Sequence, residues 1–215
     1  MKLKAISIAA AALGWGLAGA AQAVILLPGG GPLAVPTVGS AFGGTVLATT
    51  SGTMTTTNWS GNYRVAVVDG PEAGPNMDFY YQLSNNSNSR DAVGRLTGAD
   101  FLNQFTTDVY QTAAGGFAGF TAGTQSASTA DRGPLGVVGF NFAPSGSNNK
   151  LDPGETSNLL IIRTNAPTFT TGTIAAIDGA ATFSTAFAPA IPEPGTLALL
   201  ASGLLAAGGL ARRRK

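Results

Sequence analysis

Met77-Asp78-Phe79-Tyr80-Tyr81-Gln82-Leu83 sets Met77, Phe79, Tyr81 and Leu83 in strict alternation with Asp78, Tyr80 and Gln82. A period of two sends successive side chains to opposite faces of a strand, so the apolar set predicts one face against a core and the other toward water. Upstream, Tyr63 to Val68 is a second short apolar run and ends on the turn pair Asp69-Gly70. Downstream the same grain recurs at Val137 to Phe142, Asn158 to Thr164 and Thr173 to Ile177, separated by Ser145-Gly146-Ser147-Asn148-Asn149 and Asp178-Gly179. Short strands divided by turn residues predict a sandwich. Leu159 to Ile162 is continuously apolar, which predicts a central strand covered on both faces.

The segment Asp152-Pro153-Gly154-Glu155-Thr156 joins a fixed φ to a flexible glycine just before that strand. Over about a dozen residues it resembles the turn-then-strand pattern of exported immunoglobulin-like sandwiches. Asp100 to Tyr110 stays open: Phe101, Leu102, Phe105 and Val109 fall at helical spacings, whereas Thr106, Thr107, Val109 and Tyr110 favour strand. The fold expected is all-β, a single antiparallel β-sandwich (immunoglobulin-like or jelly-roll-like) over residues 46–190. An N-terminal signal helix and a C-terminal apolar helix flank it. Residues 24–45, with Pro28, Gly29, Gly30, Gly31, Pro32 and Pro36, form a loose lead-in from which short extended pieces can dock.

Composition narrows the chemistry. The 215 residues contain no cysteine, which excludes disulfide stapling and a lipidated N-terminal thiol, so stability rests on burial and hydrogen bonding. They contain no histidine, which removes Ser-His-Asp triads, imidazole bases and the common zinc sites. Six of the twelve basic residues lie in the two ends, leaving six cations against eleven carboxylates and a net charge of about −5 between Val24 and Pro194. Nucleic acid is a poor partner for such a surface.

At the N-terminus Lys2 and Lys4 precede an apolar run from Ala5 to Ala20, and Ala21-Gln22-Ala23 closes it with small residues at the first and third places. This is the layout of a secretory signal peptide over residues 1–23, cut by signal peptidase between Ala23 and Val24. At the other end Ile191-Pro192-Glu193-Pro194-Gly195 leads into an apolar run from Leu197 to Ala211, and Arg212, Arg213, Arg214 and Lys215 finish the chain. The prolines keep the peptide extended and accessible. The 15-residue run is shorter than the ~20 that span a bilayer comfortably, and the terminal cations resist translocation.

Pro192-Glu193-Pro194, a short apolar segment and a basic terminus together resemble the PEP-CTERM sorting signal of Gram-negative bacteria, a module also named ice-binding protein C-terminal domain. The resemblance implies that residues 191–215 are recognised by an exosortase, an integral-membrane transpeptidase-like enzyme that cleaves near the motif. It also implies transient residence in the inner membrane, followed by release or transfer to the cell surface or beyond.

Among candidate sites, Asp69, Glu72 and Asp78 flank a turn, and Asp91, Asp100, Asp131 and Asp152 are read as loop residues. None has the spacing of an EF-hand or a calcium repeat, so they read as solvated turn carboxylates, and no pair is selected for glycoside hydrolysis. Threonines cluster at Thr49-Thr50, Thr53, Thr55-Thr56-Thr57, Thr168, Thr170-Thr171 and Thr173. They suit exposed strands better than an ice-binding solenoid. Tyr80 and Trp59 are candidates for stacking on sugars or for buried anchoring. No catalytic residue, metal ligand or cofactor is assigned. The expectation is an exported, non-catalytic component of the cell surface or matrix, with exopolysaccharide as a candidate partner. A carbohydrate- or ice-binding module is the alternative, and a carboxylate-only glycoside-active enzyme is third.

Overall fold

The computed structural model describes residues 23–40, 43–70, 76–143 and 149–191. The signal and C-terminal helices expected from the sequence fall outside them, as does Glu72. Twelve strands run through the described residues: β1 Val24–Ile25, β2 Gly30–Ala34, β3 Thr45–Thr55, β4 Ser60–Asp69, β5 Met77–Asn85 and β6 Arg95–Gly98, then β7 Thr107–Thr112, β8 Thr129–Arg132, β9 Val138–Asn141, β10 Leu159–Thr164, β11 Thr168–Ile177 and β12 Ala181–Ala190. They form two six-stranded sheets, β1-β7-β10-β5-β4-β3 and β12-β11-β6-β9-β8-β2, and every strand pair is antiparallel. The architecture is an antiparallel β-sandwich.

Alternation explains its core. Val65, Val67, Phe79, Tyr81, Leu83, Leu160 and Ile162 point from the first sheet to meet Leu96, Val138, Phe140, Ile174 and Ala186 of the second. Phe79 meets Phe101 edge to face with ring centroids 5.2 Å apart. Each of the large apolar side chains among them contributes about 1.5–3 kcal/mol by leaving water. β10 lies between β7 and β5, and Leu159 to Ile162 are wholly buried.

β5 departs from the sequence reading. Its alternation predicts one wet face, yet every residue from Met77 to Leu83 is buried. Residues 113–124 account for this by folding back over the outer face of the first sheet. Phe117 and Phe120 pack on Tyr80, with centroids 5.4 and 6.2 Å away, and Ala66, Tyr110, Leu159 and Ile161 complete a second apolar layer. Polar groups pin this strap. Gln82 Nε2 donates to Thr121 O at 2.8 Å and Gln82 Oε1 accepts from Thr121 N at 3.0 Å, while Arg64 Nε donates to Ala118 O at 2.8 Å. Gly119 sits at φ +78°, and a Cβ there would come within 2.6 Å of Arg64 Nη2, so no other residue fits comfortably beneath the guanidinium.

The segment between Asp100 and Tyr110 resolves to an irregular stretch followed by β7, and no residue of it is helical. Two edge elements come from the glycine- and proline-rich lead-in. β1 pairs with β7 through Val24 and Val109, and β2 pairs with β8 across a bulge between Gly30 and Leu33.

Candidate functional site

Three turns converge at one end of the sandwich. Between β3 and β4, Thr56 N donates to Trp59 O at 2.7 Å while Thr56 Oγ1 accepts from Trp59 N at 3.2 Å, closing a tight turn with a side-chain brace. Between β11 and β12, Asp178 Oδ1 accepts from Ala180 N at 3.1 Å. Thr56 Oγ1 also donates to Asp178 Oδ2 at 3.0 Å, tying together turns 122 residues apart in sequence. The stretch before β6 joins them where Asn58 O accepts from Arg90 N at 2.8 Å.

These turns enclose a groove of about 590 Å³ lined by Thr55, Thr56, Thr57, Asn58, Asp91, Asp178 and Thr182. A second groove of about 290 Å³ lies across the Thr55–Asn58 ridge and adds Ser60, Asn88, Ser89 and Arg90. The surface presents hydroxyl, amide and carboxylate groups, a mixture of hydrogen-bond donors and acceptors. Asp178 already accepts on both oxygens, which suits a positioning role better than proton transfer. Among the described residues no three Asp or Glu side chains gather as a cation would require.

The sequence candidates are scattered by the fold. Asp69 ends β4, and Asp100 and Asp152 are exposed, while Asp91 alone of the six described carboxylates among those candidates reaches the groove. Asp78 and Asp131, read from sequence as turn and loop residues, lie within β5 and β8. Each is there because a cross-strand arginine compensates it. Arg163 Nε and Nη2 donate to Asp78 Oδ1 and Oδ2 at 2.9 and 3.0 Å. Arg95 spans the bare surface above Gly139 to donate to both oxygens of Asp131, with Nη2 to Oδ1 at 2.7 Å, and donates to Asn141 Oδ1 at 2.7 Å. The hydrogen bonds from Arg95 hold the Asp131 carboxyl below its ordinary pKa of 3.8. Tyr80 is wholly buried, and Trp59, though it borders the second groove, is only 2% exposed, so both serve as buried anchors.

Sequence reasoning did not find the groove. Its threonines were legible only as strand residues, and the Thr56–Asp178 bond depends on tertiary pairing that no local spacing encodes. Of the processing residues, Ala23 and Val24 open the described chain, whereas Ala21, Pro192, Glu193, Pro194, Arg212, Arg213, Arg214 and Lys215 lie outside the described residues.

The last strand places the sandwich directly against the chain's C-terminal region. Ala190 is the final residue of β12 and pairs with Thr168, and Ile191 is 54% exposed. The PEP-CTERM protein-sorting motif matches residues 190–215, beginning on that residue. The chain therefore carries a PEP-CTERM protein-sorting motif directly behind a β-sandwich, and that motif implies export and recognition by an exosortase. No curated protein and no solved structure matches the chain.

Proposed function

We propose that the sandwich is the delivered cargo, a non-catalytic component of the cell surface or exopolysaccharide matrix that an exosortase frees from its C-terminal tail. The observation that carries this reading is the junction at Ala190, where the sorting motif starts on the last residue of the folded domain with no intervening module. The strand carboxylates support a structural role, since Asp78 and Asp131 are committed to Arg163 and Arg95. The polar end groove supports a second, compatible reading in which the cargo contacts hydroxyl-rich polysaccharide through Thr55 to Asn58, Asp91 and Asp178.

Mass spectrometry of the protein from cells with an intact exosortase tests the main reading. Loss of Arg212 to Lys215 is expected, and replacement of Pro192, Glu193 and Pro194 by alanine should leave a full-length, membrane-bound form. A wild-type protein that keeps Arg212 to Lys215 overturns it. For the groove, Asp178→Ala should weaken retention on the cell's own exopolysaccharide. Retention equal to wild type would remove the groove from the account.

A further inference from the structure

An open sheet edge presents unpaired N–H and C=O groups, and proteins protect such edges with shortness, proline, charge, bulges or cover. Four edges close the two sheets here. β1 is two residues long, β2 carries Pro32 and a bulge, and β12 carries Pro189 and runs against β3, β4 and β5. β3 differs. It has eleven residues, Thr45-Val46-Leu47-Ala48-Thr49-Thr50-Ser51-Gly52-Thr53-Met54-Thr55, without a charge or a proline. Its bulge lies near one end, between Val46 and Ala48, so Ala48 to Thr55 is regular. Among the described residues its only hydrogen-bonded strand partner is β4, although β12 of the second sheet also lies close to it. Thr49, Ser51 and Thr53 are exposed, and Leu47 is 43% exposed.

We propose that this edge is a self-association surface, on which β3 of one molecule pairs antiparallel with β3 of a second copy about a two-fold axis through Thr50. The residue order argues for a like partner. About that axis Thr49 faces Ser51 and Ala48 faces Gly52, so small or hydroxylated residues meet at the centre, Leu47 faces Thr53 beyond them, and no charge is buried. The net charge of the rest of the chain, about −5 between Val24 and Pro194, acts from beyond the edge and is screened at physiological ionic strength. The pairing would join two six-stranded sheets into one of twelve strands. A single strand pair buries well under the roughly 1,600 Å² of a standard stable interface, so the dimer is weak and forms where the protein is concentrated.

A charge cycle tests this on the processed, secreted protein by sedimentation velocity over a wide concentration range. Wild type should show a reversible monomer–dimer equilibrium, and concentration should slow hydrogen exchange at the β3 amides that face away from β4. Thr49→Lys with Ser51→Lys sets lysine against lysine at both pairs and should abolish the dimer, with the melting temperature confirming that the monomer is folded. Thr49→Lys with Ser51→Glu sets opposite charges at both pairs and should restore it. A wild-type protein that stays monomeric at millimolar concentration overturns the proposal, as does a double-lysine variant that dimerises like wild type.

Discussion

Arg163 grips Asp78 across adjacent strands with two parallel hydrogen bonds, Nε to Oδ1 at 2.9 Å and Nη2 to Oδ2 at 3.0 Å, and the Asp78 side chain is wholly excluded from water. Tyr110 completes the cluster, its hydroxyl donating to Asp78 Oδ2 at 3.1 Å and accepting from Arg163 Nη2 at 3.2 Å. The pair sits on the outer face of the first sheet, in register on β5 and β10. Asp78→Ala removes both of these charge-assisted bonds and the acceptor of the Tyr110 hydroxyl from a buried site, and is expected to destabilise the fold by about 3 kcal/mol. Replacing Asp78 and Arg163 together with leucine should cost less, since both members of this buried pair are then gone. Urea unfolding of both variants checks this, and equal losses would show that packing rather than charge compensation dominates.

The strap over that face offers a second test. Arg64 hydrogen-bonds Ala118 O and lies over the Phe120 ring at 5.7 Å, while Gly119 occupies the left-handed region beneath it. Gly119→Ala meets both backbone strain and the guanidinium and is expected to destabilise by about 1–2 kcal/mol or more. Arg64→Ala should loosen the strap without unfolding the sandwich, seen as faster hydrogen exchange confined to residues 113–124 and to the β4–β5 residues below. Exchange that rises evenly across both sheets would mean that the strap and sandwich unfold together.

How much of this was legible beforehand follows from the range of each signal. Phe79, Tyr81, Leu160 and Ile162 announce their strands locally because large apolar residues recur at strand period, and those strands form the centre of the sandwich. β3 and β12 consist mostly of Thr, Ala and Ser, with Val46, Leu47 and Met54 in one and Phe183 and Phe187 in the other too few to set a period, and such a strand looks like a loop until a partner is known. Asp78 misled for a related reason: a carboxylate reads as solvent-facing unless its arginine, 85 residues away, is placed beside it. Phe117 and Phe120 sit among glycines and alanines with no periodicity, so nothing local shows that they cover Tyr80. The sorting signal was fully readable because its recognition depends on contiguous residues and their order.

Three of the four tyrosines supply a pH prediction. Burial raises the pKa of Tyr80, Tyr81 and Tyr110 well above the ordinary 10.0, reinforced by Asp78 for Tyr80 and Tyr110 and by Asp100 for Tyr81. Below pH 10 these phenols are protonated in both folded and unfolded chains, and their contribution to stability is complete. Above it the unfolded chain ionises while the folded chain cannot, so stability falls with rising pH by up to about 4 kcal/mol per unit when all three respond. Phenolate absorbance should therefore lag in the folded protein and rise together with loss of near-ultraviolet circular dichroism. A smooth titration of all tyrosines near pH 10 with the fold intact would contradict the burial that the structure assigns them.

The junction between strand and signal makes the last prediction. Ala188 to Ala190 pair only with Thr168 to Thr170, and β11 does not reach β6 until Ile174, so this end of the β11–β12 hairpin is a two-stranded ribbon. No third strand backs this end among the described residues, so it is held by the burial of Ala188 and Pro189 rather than by a further ladder. Only Ile191 separates the ribbon from Pro192. An enzyme embedded in the membrane that grips an extended peptide at the motif therefore meets the folded domain at once, and only by peeling Ala190 and then the buried Pro189 and Ala188 from the sandwich does it gain more free chain, roughly 3.3 Å per residue. Processing should then depend on release of the strand end. A disulfide made by Thr168→Cys with Ala190→Cys, at directly paired positions, should slow loss of the tail in pulse–chase labelling. Adding a reductant should restore the rate, and a six-residue Gly-Ser insertion after Ile191 should restore it even with the disulfide closed. If the cross-linked protein is processed as fast as wild type, the exosortase accepts the sandwich with β12 paired to its last residue, and the single residue Ile191 is spacer enough.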